Sequence, residues 1–545
     1  MMADLDNKYI TKSLSEHDIK VLIDHNQYKA KFLVDDKFIE LYIILDDTFP
    51  YEFPIVHIEL NSQNYLEGLP HIEEKERICC FDKSKTFSDP THPENIIIAG
   101  FCQAKKIVEK DLCGDNNEDY LDEFCTYWHN ASSSDYQFYL LSELSSECSV
   151  LYCNFNSTAF VHYDIKTLKE KLDELQINHN DKDIKKCFYV PLNKPISHIP
   201  KSHEEIDSII KSNSYYYKDY EEFLTKEYPR GHLIILSQQY NNSYMYFGFL
   251  HERIPQIPGF REGHTPLGVS LKVRLGKAPI TKFAVSNLTQ SRLFSRGGDG
   301  IINETHIGVV GCGSLGSHIV DAFASCGTFN FTLIDNQLLS EDNIARHICG
   351  FELVGIHKSK ALKFTIQQHN PNINCKDYTE DVNLLLENRL DVFDATDTIV
   401  CTVAEAPLEM HLVEKYNEGC LCKTLVIMWV EPYALCGHIV LLNKPQDIFS
   451  ELYDVKLNFN EPVIKSSDNY YKREAGCNST YMPYSGLNVK LFVGSFVKDF
   501  MQGRYLDNNY HIIWSGDLHN NGFGVEINSK WSHLRDNSVY VERIG

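Results

Sequence analysis

An α/β fold is predicted for the C-terminal half of this chain and an α+β fold for its N-terminus, with a linking domain between them. Three observations predict it: a glycine-rich turn joining a strand to a helix near residue 311, alternation of strand and helix patterns after Thr305, and a meander of short strands around a proline-rich corner at residues 17–60. The alternation implies a parallel sheet with helices on both faces.

In chain order, Ile19–Asp24, Tyr28–Val34 and Phe38–Leu45 have strand composition and are separated by polar turns. The stretch from Thr48 to Pro54 holds two prolines among aromatics, which interrupt pairing and fix the path into a fourth apolar run, Ile55–Leu60. Ile97, Phe101, Ala104 and Val108 have helical spacing, and residues 117–128 are acidic and aromatic. Polar residues 131–140 mark a boundary. Residues 145–275 offer strand-like runs at Ser149–Cys153 and His232–Ser237, a helix at Ile165–Leu175, and no chemical motif. The expected domains are therefore 1–140, 141–275 and 276–545.

The chain has 545 residues, 43% hydrophobic and 23% charged, which fits about three globular domains. A net charge of −23 argues against a nucleic-acid groove. No run approaches the length of a membrane span and no signal-type leader is read, so a cytoplasmic setting is expected. Seventeen cysteines include no C-x-x-C pair, which disfavours structural zinc. Reduced thiols leave room for one or two nucleophiles.

The strand His306–Gly311 leads into Gly311-Cys-Gly313-Ser-Leu-Gly316 and a helix pattern, and the next strand ends in Asp335. Glycines allow a tight turn and close approach to phosphate, the helix start offers unpaired N–H groups, and Asp335 can hold ribose hydroxyls. A dehydrogenase would share these residues. The residues after Asp335 separate the two: Asn343-Ile-Ala-Arg346, then Gly355-x-x-Lys358, Asn370-Pro371, and Asp394-Ala-Thr-Asp397. This ordered series resembles ubiquitin-activating enzymes and sulfur-carrier-activating enzymes of the ThiF and MoeB type. The resemblance implies a Rossmann-like adenylation domain using ATP and magnesium, with Arg346 and Lys358 on the triphosphate, Asn343 donating to phosphate, and Asp397 on the metal. Arg292-Leu-Phe-Ser-Arg296 resembles the stretch that sends an arginine into a partner subunit's site, which implies a homodimer and a catalytic role for Arg296.

Gly476-Cys477 precedes a helix pattern at Gly486–Phe500 and resembles the thioester-forming turn of bacterial activating enzymes. The segment Ile43–Val56, with His71 and Ile78-Cys79, resembles ubiquitin-conjugating enzymes, although the usual Asn after the His is missing. Cys80 competes with Cys79 for the nucleophile. The two ends together resemble the fused activating–conjugating enzymes of bacterial CBASS anti-phage operons. That implies a substrate, the C-terminus of a cyclic-oligonucleotide synthase (a CD-NTase), carried from Cys477 to Cys79 and then to an amine on a target. A sulfur-carrier adenylyltransferase and a non-catalytic adaptor are the alternatives.

Overall fold

The computed structural model describes residues 5–59, 71–73, 77–81, 85–113, 117–132, 137–144, 149–155, 158–226, 231–241, 243–261, 264–297, 302–473, 480–519 and 522–545. The chain divides into two compact units, 1–168 with 179–287, and 169–178 with 288–545.

The first unit begins with helix α1 (Asn7–Ser15), capped by Asp6, whose Oδ1 accepts the N–H groups of Lys8 and Tyr9 at 3.0 Å. The meander follows as β1 (Lys20–Asp24), β2 (Gln27–Val34), β3 (Lys37–Ile44) and β4 (Val56–Ile58), all antiparallel. Residues of β2 alternate buried and exposed, as a strand with one covered face requires. The cover is helix α2 (Pro93–Cys113), whose Ile97, Phe101, Ala104 and Val108 meet Tyr28, Phe32, Leu41 and Ile43. A small hairpin, β5 (Ile72–Glu73) and β6 (Arg77–Ile78), extends the sheet, and helix α3 (Asn117–Asn130) follows.

The middle of the chain is a closed barrel of seven strands: β7 (Gln137–Leu140), β8 (Ser149–Phe155), β9 (Thr158–His162), β10 (Ile184–Pro191), β11 (His232–Tyr240), β12 (Ser243–His251) and β13 (Thr281–Asn287). Its first and last strands lie outside the expected middle domain 141–275, β7 just before it and β13 just after it. Phe138, Val161, Tyr189, Ile235 and Phe283 form one cluster. The alternate residues Phe188, Val190, Ile234, Leu236 and Phe247 pack with Phe124 and Trp128 of α3. Strand β11 is buried on both faces, and its centre, Leu233–Leu236, reads as an unbroken apolar run. Trp128 Nε1–H is shared between the carbonyls of Gly248 and Phe283, both at 3.1 Å. A Cβ on Gly248 would lie 2.1 Å from the Phe283 ring, so glycine is required there.

Buried histidines make the fold acid-sensitive. Burial beside His203 holds His251 at a pKa of about 3, so it stays neutral in the folded state. The unfolded imidazole titrates near 6.5, so the stability it contributes is full above that pH and is lost as pH falls toward 3. By pH 5 this loss is about 2 kcal/mol. Calorimetric melting temperature should therefore fall from pH 7 to pH 5, and His251→Phe should flatten the slope. An unchanged slope in His251→Phe would reject this source of acid sensitivity.

The second unit is the predicted α/β domain. Helix α4 (Gln290–Gly297) precedes β14 (Asn303–Val310), α5 (Ser314–Ser325), β15 (Thr328–Ile334), α6 (Lys358–His369), β16 (Asn374–Tyr378), β17 (Thr398–Cys401), α7 (Ala406–Asn417), β18 (Thr424–Val430) and β19 (Cys436–Leu442). Two short strands, β20 (Lys472–Arg473) and β21 (Thr480–Tyr481), lead to α8 (Gly486–Met501), β22 (Asn509–Ser515) and β23 (Ser538–Ile544). The sheet order is β16-β15-β14-β17-β18-β19-β22-β23, parallel through β18 and antiparallel beyond. Among the described residues no helix is long and apolar enough to cross a membrane.

Candidate functional site

Strand β14 delivers the chain to the glycine turn at the carboxyl edge of the parallel strands, where such sheets bind ligands. Gly311 has φ +88° and donates its N–H to Ile334 O at 2.9 Å. A Cβ there would sit 2.7 Å from Val403 Cγ1, and one on Gly316 only 1.9 Å from Gly311 O. These two glycines are demanded by packing. Gly313 is different: it caps α5, and a Cβ on it would meet nothing within 4 Å. The space beside this helix start is open to a phosphate.

The turn is tied down on three sides. Asp335, buried at the end of β15, accepts Cys312 N–H at 2.7 Å on Oδ2 and Gln337 N–H at 2.8 Å on Oδ1. Each oxygen keeps a second lone pair for a ribose hydroxyl. His347 donates from Nε2 to Cys312 O at 2.7 Å and accepts Cys349 N–H at 3.1 Å on Nδ1, and burial lowers its pKa, keeping it neutral. Thr402 Oγ1 donates to Gly311 O at 2.7 Å.

Cationic groups gather on the same side. Lys358 is buried at the start of α6, where its ammonium donates to Gln337 Oε1 at 2.7 Å. Arg346 stacks its guanidinium 4.7 Å over the Tyr484 ring, while its carbonyl accepts Ser314 Oγ at 2.7 Å, in the first turn of α5. Asn343 Oδ1 accepts from Ser340 N and Oγ at 3.1 Å, a capping box that leaves its Nδ2 donors for a ligand. Gly311, Gly313, Gly316, Asp335, Asn343, Arg346 and Lys358 thus share one edge. Sequence reasoning missed Gln337, His347, Thr402 and Tyr484, which carry no motif.

Asp397 does not join them, which corrects the expected catalytic and magnesium-binding role. The Asp394–Asp397 turn enters β17 rather than leaving it. Asp397 lies level with His306, whose N–H reaches its Oδ2 at 3.1 Å, and its Oδ1 takes Lys423 Nζ at 2.7 Å. The Lys423 ammonium holds its pKa below the usual carboxylate range. His306 is five residues before Gly311, which puts roughly 16 Å of strand between them. The segment that does leave β17 is Thr402-Val-Ala404-Glu405, with Ala404 at φ +55° and Glu405 starting α7. Asp397 therefore does not fit a magnesium ion at the nucleotide.

Arg296 ends α4 as an exposed residue. Cys477 lies outside the described residues, between β20 and β21. Seven residues later Tyr484 meets Arg346, and a Cβ on Gly486 would come 3.3 Å from Arg346 Cα, so the start of α8 lies against the arginine loop.

In the first unit Cys79 is exposed just after β6. Its N–H donates to His71 O at 2.8 Å. His71, at φ +60°, donates its own N–H to Tyr127 Oη at 2.6 Å. Tyr127 Oη donates to Glu123, and Glu123 Oε2 is 3.5 Å from His71 Nδ1. Cys80 packs against the N-terminal core, and burial pushes its thiol pKa far up. The exposed sulfur is the better nucleophile.

Residues 286–468 match the ThiF family, and residues 4–136 match prokaryotic E2 family B. The chain carries one domain of each kind. The NEDD8-activating enzyme E1 regulatory subunit AXR1 of Arabidopsis thaliana is 22% identical over 215 residues, 37% of this chain and 38% of that protein. The adenylyltransferase and sulfurtransferase UBA4 of Saccharomyces cerevisiae (strain YJM789) is 30% identical over 114 residues, 21% of this chain and 25% of that protein. The chain spans well under half the length of either relative. Among solved structures, PaaA matches with 16% identity and a TM-score of 0.30, covering 44% of this chain and 64% of its own. E. coli MccB, solved with AMPCPP and MccA, matches with 14% identity and a TM-score of 0.29 over the same shares.

Proposed function

We propose that this protein activates the C-terminal carboxylate of a protein partner with ATP and passes it through thioesters to an amine. One observation carries the reading: a phosphate-binding turn ringed by Asp335, Lys358 and Arg346 shares a chain with an exposed cysteine held by His71 and Tyr127. The partner's carboxylate attacks the α-phosphorus of ATP, and pyrophosphate leaves. The Gly313 helix start, Lys358 and Arg346 stabilise the charge of the triphosphate. The Cys477 thiolate then attacks the adenylate carbonyl and AMP leaves. Thiol exchange carries the acyl group to Cys79, and an amine displaces that sulfur to form an amide. No step is assigned to magnesium, because Asp397 is not at this edge.

By its resemblance to fused CBASS enzymes, the partner is the C-terminus of a CD-NTase, the acceptor is an amine on a protein or small molecule, and the setting is cytoplasmic anti-phage defence. In this reading the protein is a homodimer in which exposed Arg296 serves the other copy's nucleotide.

The test is ATP–pyrophosphate exchange driven by a peptide of the partner's C-terminus, first in wild type and then in Arg296→Ala mixed with Lys358→Ala. Wild type should exchange, each variant alone should fail, and the mixture should regain part of the rate. A mixture as inactive as its components would place Arg296 in its own subunit's chemistry or outside it. A non-adenylating reading is favoured by Ala404 standing where the loop leaves β17. It would stand if wild type showed no exchange while still binding ATP. A sulfur-carrier adenylyltransferase would exchange but leave Cys79 unacylated.

A further inference from the structure

A buried chain of polar groups crosses the antiparallel side of the second unit's sheet. Glu431 accepts the N–H groups of Val463 and Ile464 at 2.6 and 2.7 Å. It also accepts His438 Nε2–H at 2.6 Å. His438 is wholly buried, and its Nδ1 lies 3.1 Å from Nε2 of His511, which is 1% exposed. A carboxylate can only accept, so for two neutral rings the order of bonds fixes the tautomers. His438 carries its proton on Nε2, His511 does the same, and Nδ1 of His511 is left with a lone pair.

That imidazole stands beside two acids. A ring nitrogen of His511 and carboxylate oxygens of Glu461 and Glu542 all lie within 4.8 Å of one another. His511 and Glu542 are cross-strand partners on β22 and β23, while Glu461 comes from the loop that also supplies the Glu431 contacts. Lys530, paired with Glu461, sets one positive charge against two negative ones. Two carboxylates and an imidazole lone pair repel one another unless a further cation stands between them.

We propose that Glu461, His511 and Glu542 bind a divalent first-row transition cation, of which Mn²⁺ is the probe. One imidazole with two carboxylates suits manganese or zinc better than the all-oxygen shells of calcium and magnesium. With bonds of about 2.0–2.2 Å, neighbouring ligands on such an ion stand about 3.0–3.6 Å apart, so the two glutamate side chains must rotate inward from a spread of up to 4.8 Å. The Glu431–His438 pair would fix the ring of His511, as hydrogen-bonded partners behind metal-bound histidines do. The bound ion would clamp the last strand, β23, to the loop carrying Glu461.

The experiment titrates EDTA-treated, dialysed full-length protein with Mn²⁺, read by calorimetry and by electron paramagnetic resonance of the free ion. Wild type should bind about one equivalent, and its melting temperature should rise with Mn²⁺. Glu461→Gln and Glu542→Gln keep the side-chain shape, and each should weaken binding by at least about tenfold, with circular dichroism unchanged. Lys530→Ala removes the competing ammonium and should tighten it. Mn²⁺ that fails to bind wild type, or that binds both glutamine variants as tightly, overturns the site and leaves Lys530 as the counter-charge.

Discussion

Gly313→Ala should abolish pyrophosphate exchange without altering the melting temperature, whereas Gly316→Ala should lose both. A Cβ on Gly316 would lie 1.9 Å from a backbone oxygen of the same turn, and no flexible side chain can yield there. A Cβ on Gly313 meets no protein atom within 4 Å, so the fold tolerates it. It would instead occupy the space beside the α5 start where phosphate must approach. The loss in either variant should be on the order of a hundredfold or more, the scale of removing a preorganised charge-stabilising contact. Asp397→Ala is the control. Its partners are the His306 N–H and Lys423 at the other end of β17, so exchange should stay within about twofold of wild type. Exchange abolished in Asp397→Ala, with Gly313→Ala active, would overturn the placement of the nucleotide.

The second large effect concerns the thiols. Cys477→Ala should keep exchange and lose both thioesters. Cys79→Ala should keep the Cys477 thioester and lose conjugation, while Cys80→Ala, on a thiol whose burial opposes ionisation, should cost far less. Tyr127→Phe removes the hydroxyl that takes the His71 N–H and donates to Glu123. It should slow transfer from Cys79 to the amine by about tenfold while the Cys79 thioester accumulates. Non-reducing electrophoresis and intact-protein mass spectrometry distinguish these species. Full conjugation in Cys79→Ala would sink the assignment.

The α/β sheet was readable in the sequence because its signals are local. The expected strand His306–Gly311, helix Ser317–Cys326 and helix Gly486–Phe500 are found as β14, α5 and α8 with shifts of a few residues. The N-terminal meander was equally plain, since alternation in β2 records one covered face. The barrel was not legible: its closure joins β7 to β13, nearly 150 residues apart, and periodicity says nothing about partners at that distance. Asp397 misled for a related reason. Asp-Ala-Thr-Asp reads alike on either side of a strand, and only the pairing of Val310 with Cys401 shows that β17 begins after it. Tyr127 was passed over because its significance lies in contact with His71, 56 residues away.

Helix α3 has contacts in two places. Along one side it presents Tyr127 to the backbone N–H of His71 and Glu123 to its ring; along another it sinks Phe124 and Trp128 into the wall of the barrel. The Trp128 indole bonds to carbonyls on both β12 and β13, which fixes this face of the helix to two neighbouring strands. One helix therefore serves both the barrel wall and the hairpin that leads to Cys79, so the middle of the chain shares a structural member with the N-terminal sheet.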